Sequence, residues 1–255
     1  MRVSFLTKLL LLFFSIFFLS CASKKDIVYL QDVDTIKASN SLSYEPVLKN
    51  DDLLSIIVSA DDPEVTYMFN IPQIQGNYKV DESQSSIRTY LIDSYGQIEF
   101  PVLGKISLAG LTRSEAIKEL TQKVKPYITN PTINLRILNY KVSVLGEVIK
   151  PGSYTFSSER VTLLEALAIA GDLTIYGKRN NILIIREKNN QKTYNRVDIT
   201  NSSFVNSEFY YLTQNDVIVV EPNKTRINSS SFGPNVLGII SAASIIISIL
   251  ILLQR

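Results

Sequence analysis

Residues 236–253 form a run of eighteen side chains without a charge, and no other stretch limits the fold so sharply. At ~1.5 Å rise per residue, a helix over this run covers nearly all of a ~30 Å hydrocarbon core. Asn235 stands at one end and Gln254 with Arg255 at the other, so both ends are polar. Within the run, Ser241, Ser244 and Ser248 fall at i, i+3 and i+7. At ~100° per residue they share an arc of about 60°, and Gly233, Leu237 and Arg255 project in nearly the same direction. The opposite face carries Val236, Ile239, Ala243, Ile246, Leu250 and Leu253, all apolar. The pattern predicts a membrane-length helix with one weakly polar stripe. Alone, such a helix conducts nothing. A ring of them, isoleucine and leucine outward and serine inward, could enclose a wet lumen. The plainer alternative is a tail anchor whose serines bond back to their own helix or pack small-on-small against a neighbour.

The rest of the 255 residues has room for one large or two small domains. Histidine and tryptophan are absent and cysteine occurs once, at Cys21. That excludes zinc fingers, histidine-based metal sites, intrachain disulfides and any Ser-His-Asp or Cys-His apparatus. Without Arg2 and Lys8, 24 basic residues face 24 acidic ones. A balanced chain with no basic run gives no footprint for nucleic acid.

Arg2 and Lys8, then the apolar residues 9–19 and small Ser20, read as a secretory signal over 1–20. Cys21 follows at once. Phe18-Leu19-Ser20-Cys21 resembles a loose bacterial lipobox, which implies cleavage before Cys21 and acylation of its thiol and new amino group. Several acyl chains anchor where one does not, because each buried CH₂ contributes about 0.8 kcal/mol. An uncleaved N-terminal helix that happens to end in cysteine is the alternative. Ser23-Lys24-Lys25 is basic, which favours an anchor facing the periplasm.

Residues 21–43 read as a polar linker with a short strand candidate over 27–30. From Tyr44 the pattern is β-rich. A strand is expected over 53–58 after a turn at Asn50-Asp51-Asp52, then long loops over 60–86. Residues 90–93 and 97–101 are spaced as a hairpin around Ser94-Tyr95-Gly96, with glycine where φ is positive. A further strand is expected over 102–108. Thr112-Arg113-Ser114-Glu115 is a capping box with Leu111 and Ala116 placed as a staple. Ile117, Leu120 and Val124 mark the inward face of the helix it opens, and Pro126 stops it. Residues 132–140 return to strand, with Ile133, Leu135 and Ile137 alternating against Asn134 and Arg136.

In the second unit, 142–148 and the residues after Pro151-Gly152 read as strand, turn, strand. A second capping box, Thr162-Leu163-Leu164-Glu165, opens a short helix with Leu163, Leu164, Leu167 and Ala170 inward and Gly171 at its end. A hairpin over 181–199 and a strand over 216–220 complete it. Tyr210-Tyr211 invites sugar stacking, but tyrosine is common in strands and structural use is the stronger reading. Asp51-Asp52 and Asp61-Asp62 with Glu64 are the carboxylate clusters. They lie beside turn residues without cation-loop spacing, so solvated turns are expected rather than acid/base or Ca²⁺ chemistry. No phosphate loop occurs. No enzyme, cofactor or metal site is expected.

Two sets of these residues carry a family resemblance. Ile92-Asp93, Gly96-Gln97-Ile98, Pro101-Val102-Leu103-Gly104, Ala109-Gly110-Leu111-Thr112 and Glu115-Ala116, with the strand after Pro131, resemble the polysaccharide biosynthesis/export domain. Asn50-Asp51 stands where the family usually has Gly-Asp; asparagine also tolerates the left-handed region, so the turn is kept. Gly146-Glu147-Val148, Pro151-Gly152 and Ala170-Gly171 resemble the soluble-ligand-binding (SLBB) β-grasp domain that follows it in the same family. Larger members carry two copies, and one is recognisable in this sequence.

The fold expected is α+β: a signal over 1–20, a lipidated linker over 21–43, a β-rich export domain over 44–140, one SLBB β-grasp domain over 141–222, a linker over 223–233 and a transmembrane helix over 234–255. The resemblance implies a lipid-anchored subunit of an outer-membrane translocon for capsule or exopolysaccharide. It further implies a homo-oligomeric ring (an octamer in the family's best-known form) and an inner-membrane copolymerase of the tyrosine-kinase type as partner. Ser241, Ser244 and Ser248 would line the pore and Cys21 would carry the lipid. A periplasmic ligand-binding or scaffold protein held by two anchors, with no pore, is the alternative.

Overall fold

The strand expected over 53–58 becomes the centre of a sheet. The computed structural model describes residues 24–35, 44–70, 89–188 and 191–231, with positions 241, 244, 245 and 248 beyond them. The first unit contains β1 (Leu53–Ser59), the short helix α1 (Pro63–Thr66), β2 (Thr89–Leu91), β3 (Gln97–Phe100), β4 (Gly104–Ser107), α2 (Arg113–Val124) and β5 (Thr132–Ile137). β1 lies between β2 and β5 in an antiparallel sheet, with Leu54 opposite both Tyr90 and Ile137. Leu54, Ile56 and Val58 are buried on it, and Ile133, Leu135 and Ile137 bury the same face from β5. β3 and β4 form a separate two-stranded ribbon.

Both capping boxes are present. Thr112 accepts from the Glu115 amide at 3.3 Å while Glu115 accepts from the Thr112 amide at 2.8 Å. Thr162 and Glu165 repeat the pair at 3.1 and 2.8 Å. Each box satisfies amides that the first helical turn leaves without partners.

Four local expectations are corrected. The Gly96 turn closes as read, with φ +79° and Asp93 N–H donating to Gln97 O at 2.8 Å, but its flanks part company. β2 joins β1, and β3 pairs with β4. On α2 the buried residues are Ala116, Leu120 and Val124, while Ile117 is half-buried. The left-handed residue of the first turn is Asp51, at φ +67°, not Asn50. Residues 27–30 form no strand. They join two 3-10 turns, Lys24–Asp26 and Val33–Thr35, with Leu30 at φ +47°.

The second unit holds β6 (Lys141–Gly146), β7 (Gly152–Thr155), α3 (Leu163–Ile169), β8 (Gly177–Lys188), β9 (Gln191–Val197) and β10 (Val217–Pro222), followed by α4 (Lys224–Ser231). Its five strands run in the order β7-β6-β10-β8-β9, with β6 and β10 parallel and the other pairs antiparallel. α3 covers the sheet with Leu163, Ala166, Leu167 and Ala170 buried, while Leu164 is half-buried. Gly146 has φ +90°, and a Cβ there would lie 2.1 Å from the Val220 carbonyl oxygen. No other residue type fits that approach of β6 to β10.

This sheet gives the molecule a direction. β6, α3 and β10 all begin beside the first unit: Gln214 accepts from Lys141 N–H at 2.7 Å and donates to Asn139 O at 2.8 Å, and Leu163 N–H donates to Tyr210 O next to Tyr211, which stacks on Tyr44. Six strand residues then carry β6 and β10 ~20 Å away from that joint. The segment 171–179, the loop after α3 with the first residues of β8, lies at the far end, and both outer segments of the chain meet it.

Candidate functional site

The first of those segments is the arm after Cys21. Leu30 and Gln31 donate to the carbonyls of Ile199 and Thr200 at 3.1 and 2.8 Å, and Ser202 N–H donates to Asp32 Oδ1 at 2.7 Å. The Tyr29 hydroxyl donates to Asp172, and its ring lies under Arg179, 5.5 Å from the guanidinium. Burial together with the Asp172 carboxylate raises the Tyr29 phenol well above its usual range. Arg179 is itself buried and donates to the carbonyl oxygens of Leu173, Thr174 and Gly177. The arm is thus latched to the 171–179 loop by a tyrosine, a carboxylate and a buried cation. Cys21 lies outside the described residues, three positions before Lys24.

The second segment is α4. Asn223 N–H donates to Tyr176 O at 2.7 Å, Arg226 pairs with Glu147 at 3.2 Å, and the Arg226 guanidinium stands 5.6 Å from the Tyr176 ring. α4 therefore starts on the loop that holds the arm. The apolar run 236–253 follows it in sequence, and most of that run lies outside the described residues. Ser241, Ser244, Ile245 and Ser248 are described: each is helical and solvent-exposed. Ser244 Oγ donates to Ser241 O, and Ser248 Oγ to Ser244 O, both at 2.8 Å. The three serines share one edge, and this back-bonding is what the plainer reading expected. It uses the hydroxyl protons of Ser244 and Ser248 and leaves their oxygens able to accept. Among the described residues, no helix is long and apolar enough to cross a membrane.

A dense polar joint at the near end fixes the direction of the far end. Asp216 is wholly buried and takes Arg186 Nη2 at 2.7 Å, Thr213 Oγ1 at 2.7 Å and Thr213 N–H at 2.8 Å. Tyr44 and Tyr140 both donate to Leu212 O, at 2.7 and 2.6 Å. Burial raises both phenols and lowers the Lys49 ammonium, whose Nζ reaches Gln214 O at 3.2 Å. A cavity of about 120 Å³ remains among Tyr44, Lys49, Ile137, Tyr140, Thr213 and Gln214. Tyr211 is buried here, stacked on Tyr44 with centroids 5.0 Å apart and lying under Arg160 at 4.7 Å. Tyr210 packs on Tyr211 and Phe204. These two tyrosines build the joint and present no stacking platform for a sugar.

One acid departs from the solvated turn expected of it. Asp52 is wholly buried: its Oδ2 accepts from Lys49 N–H at 2.8 Å, and its Oδ1 has no hydrogen-bond partner. Burial pushes its carboxyl up to about 6. Between about pH 4 and 6 the folded chain therefore keeps a proton that the unfolded chain has lost. The stability this group contributes is complete below about pH 4 and is lost as pH rises through 6. Asp52→Asn should flatten that slope, gaining ~2 kcal/mol at pH 7.5 relative to pH 4 against the unsubstituted chain. Melting curves at the two pH values measure it, and parallel behaviour of the two chains would contradict the assignment.

Residues 40–138 match the polysaccharide biosynthesis/export protein family, and residues 140–220 match the SLBB domain. The EPS I polysaccharide export outer membrane protein EpsA of Ralstonia solanacearum is 30% identical over 141 residues, which cover 53% of this chain and 37% of that protein. The protein of the same name from Ralstonia nicotianae is 32% identical over the same coverage. The match thus spans little more than a third of the length of these relatives. With both matched segments in the order and at the places where the two sheets lie, this chain belongs to the polysaccharide biosynthesis/export family and carries an SLBB domain behind its export domain.

Proposed function

We propose that the chain is a subunit of an outer-membrane channel through which a polysaccharide leaves the cell. One observation carries this beyond the family: the arm that follows Cys21 and the helix that leads to residues 236–253 leave the SLBB domain from the same loop, with the export domain at the opposite end. A chain tethered to one membrane at both of those segments would hold its two domains in line below that membrane. Both EpsA relatives are polysaccharide export outer membrane proteins, which supports this reading.

In this reading Cys21 is acylated, residues 234–255 form a transmembrane stave, and copies close into a ring around an aqueous lumen. The export domains face the periplasm and meet an inner-membrane copolymerase. Transport is passive. Weakly polar hydroxyls at Ser241, Ser244 and Ser248 accept from sugar hydroxyls without holding them. Tight binding at each step would stall a long polymer, and serine hydroxyls already bonded to their own helix avoid it. The back-bonded serines also suit the alternative, a doubly anchored scaffold whose helix only packs in lipid.

Cys21→Ser tests the anchor. The variant is expected to keep its two folded domains but to lose most of its sedimentation with outer-membrane vesicles, and polymer at the cell surface should fall with it. Unchanged outer-membrane fractionation would remove Cys21 from the account.

A further inference from the structure

Among the described residues, the far end of the SLBB domain has an exposed apolar tip that neither the sheet core nor the latch uses. Ile149, Ile175 and Ile169 stand 62%, 57% and 51% exposed. Backbone bonds bring their segments together: Ile149 N–H donates to Asp172 O at 3.0 Å, Lys150 N–H to Ala170 O at 2.8 Å, and Thr174 N–H to Glu147 O at 3.0 Å. The Ile149 side chain lies across Gly171, where an added Cβ would come within 3.0 Å of its own. Around this tip Lys25, Lys150 and Lys224 are exposed, with Asp26 beside the first of them. Three acids at this end are engaged. Glu147 pairs with Arg226 at 3.2 Å, Glu221 with Lys178 and Arg196 at 3.2 and 2.8 Å, and Asp172 takes the Tyr29 hydroxyl.

We propose that this tip rests on the bilayer: Ile149, Ile169 and Ile175 enter its interfacial layer, and Lys25, Lys150 and Lys224 take phosphate oxygens of phospholipid headgroups. The inference rests on the membrane-tethered reading above and adds to it a specific lipid-facing surface. The occupant follows from where the chain goes. Cys21 is three residues before Lys24, so an acylated Cys21 lies within ~10 Å of the arm's first turn. The headgroup layer is itself several ångströms deep, since ~40–45 Å of bilayer encloses a ~30 Å core. A short arm latched by Tyr29 and Asp172 therefore holds the isoleucines at headgroup depth. Apolar side chains ringed by lysine are the composition that binds an interface of anionic lipid.

The test uses the full chain reconstituted into vesicles of roughly three parts phosphatidylethanolamine to one part phosphatidylglycerol. An environment-sensitive fluorescent residue is placed at position 175 in one preparation and at position 95, on the exposed export-domain turn, in another. Flotation is measured on the same samples. The proposal expects the chain to float, and emission from position 175 to be blue-shifted and quenched by lipid-borne quencher. Iodide should quench position 175 at least ~3-fold less than position 95. A floating chain whose position 175 is open to iodide overturns the lipid surface and leaves the tether standing. A floating chain whose position 175 is shielded from both quenchers overturns it in favour of contact between copies. A chain that fails to float overturns the tether and the surface together.

Discussion

Asp216→Ala is expected to lower stability by ~3–5 kcal/mol, enough to unfold much of the population of an ordinary domain. The carboxylate is wholly buried and serves three roles. It neutralises Arg186, whose side chain is only 11% exposed, caps the Thr213 amide, and orients the Thr213 hydroxyl. Removing it leaves a guanidinium uncompensated in the joint, its remaining hydrogen-bond and ring contacts among the described residues being the carbonyls of Glu208 and Tyr211 and the Phe209 ring. The Leu212 carbonyl that receives Tyr44 and Tyr140 lies in the adjoining segment, so the loss should reach the contact between domains. Urea titration of the full chain measures the cost. Asp216→Asn should cost less, because it keeps the shape and one acceptor while removing the charge. Equal stability of Asp216→Ala and the unsubstituted chain would show that the pair contributes nothing net.

Ser244→Leu combined with Ser248→Leu is expected to cut polysaccharide export at least ~10-fold while leaving the protein in the membrane. Insertion should not suffer, since leucine at a helix centre favours the bilayer where serine does not. About six added apolar carbons and two lost hydroxyls per stave, repeated around a ring, would convert the hydroxyl edge to an apolar one and dewet the lumen. Surface polymer and membrane-fraction content, measured in the same cells, separate the two effects. Normal export at normal protein level would assign these serines to helix packing, and the channel would have to lie elsewhere.

Much of the architecture could be read from residue order. The capping boxes at Thr112 and Thr162 needed no tertiary help, because a threonine and a glutamate three residues on satisfy two amides locally. β5 and the β8–β9 hairpin were legible through alternation and through turn residues between apolar runs. What escaped was long-range. Nothing near Tyr90 says that its strand prefers β1 to the β3 that follows it, since local spacing suits either pairing. Asp52 looked like a turn acid because its neighbours Asn50 and Asp51 are turn residues. It is buried because β1 starts at the next residue and draws it inside. The latch of Tyr29, Asp172 and Arg179 joins residues 143 apart in sequence, and no local pattern marks it. The one available signal is composition: the apolar run Ile27-Val28-Tyr29-Leu30 predicts a short strand, and its last two residues, Tyr29 and Leu30, instead pack against the core. They were apolar because they dock. The serine edge was legible as a stripe, but one helix cannot say whether its polar edge faces water or its own backbone, and Ser244 and Ser248 bond to the backbone.

The central claim is that copies of this chain close around a passage. Imaging the particle extracted from membranes in mild detergent, with its mass measured in the same preparation, tests it directly. A single discrete ring of many copies, with a central channel running past the export and SLBB domains to the terminal helices, is predicted. A particle of one or two copies with no channel would contradict the account and leave a protein held to a membrane at two points.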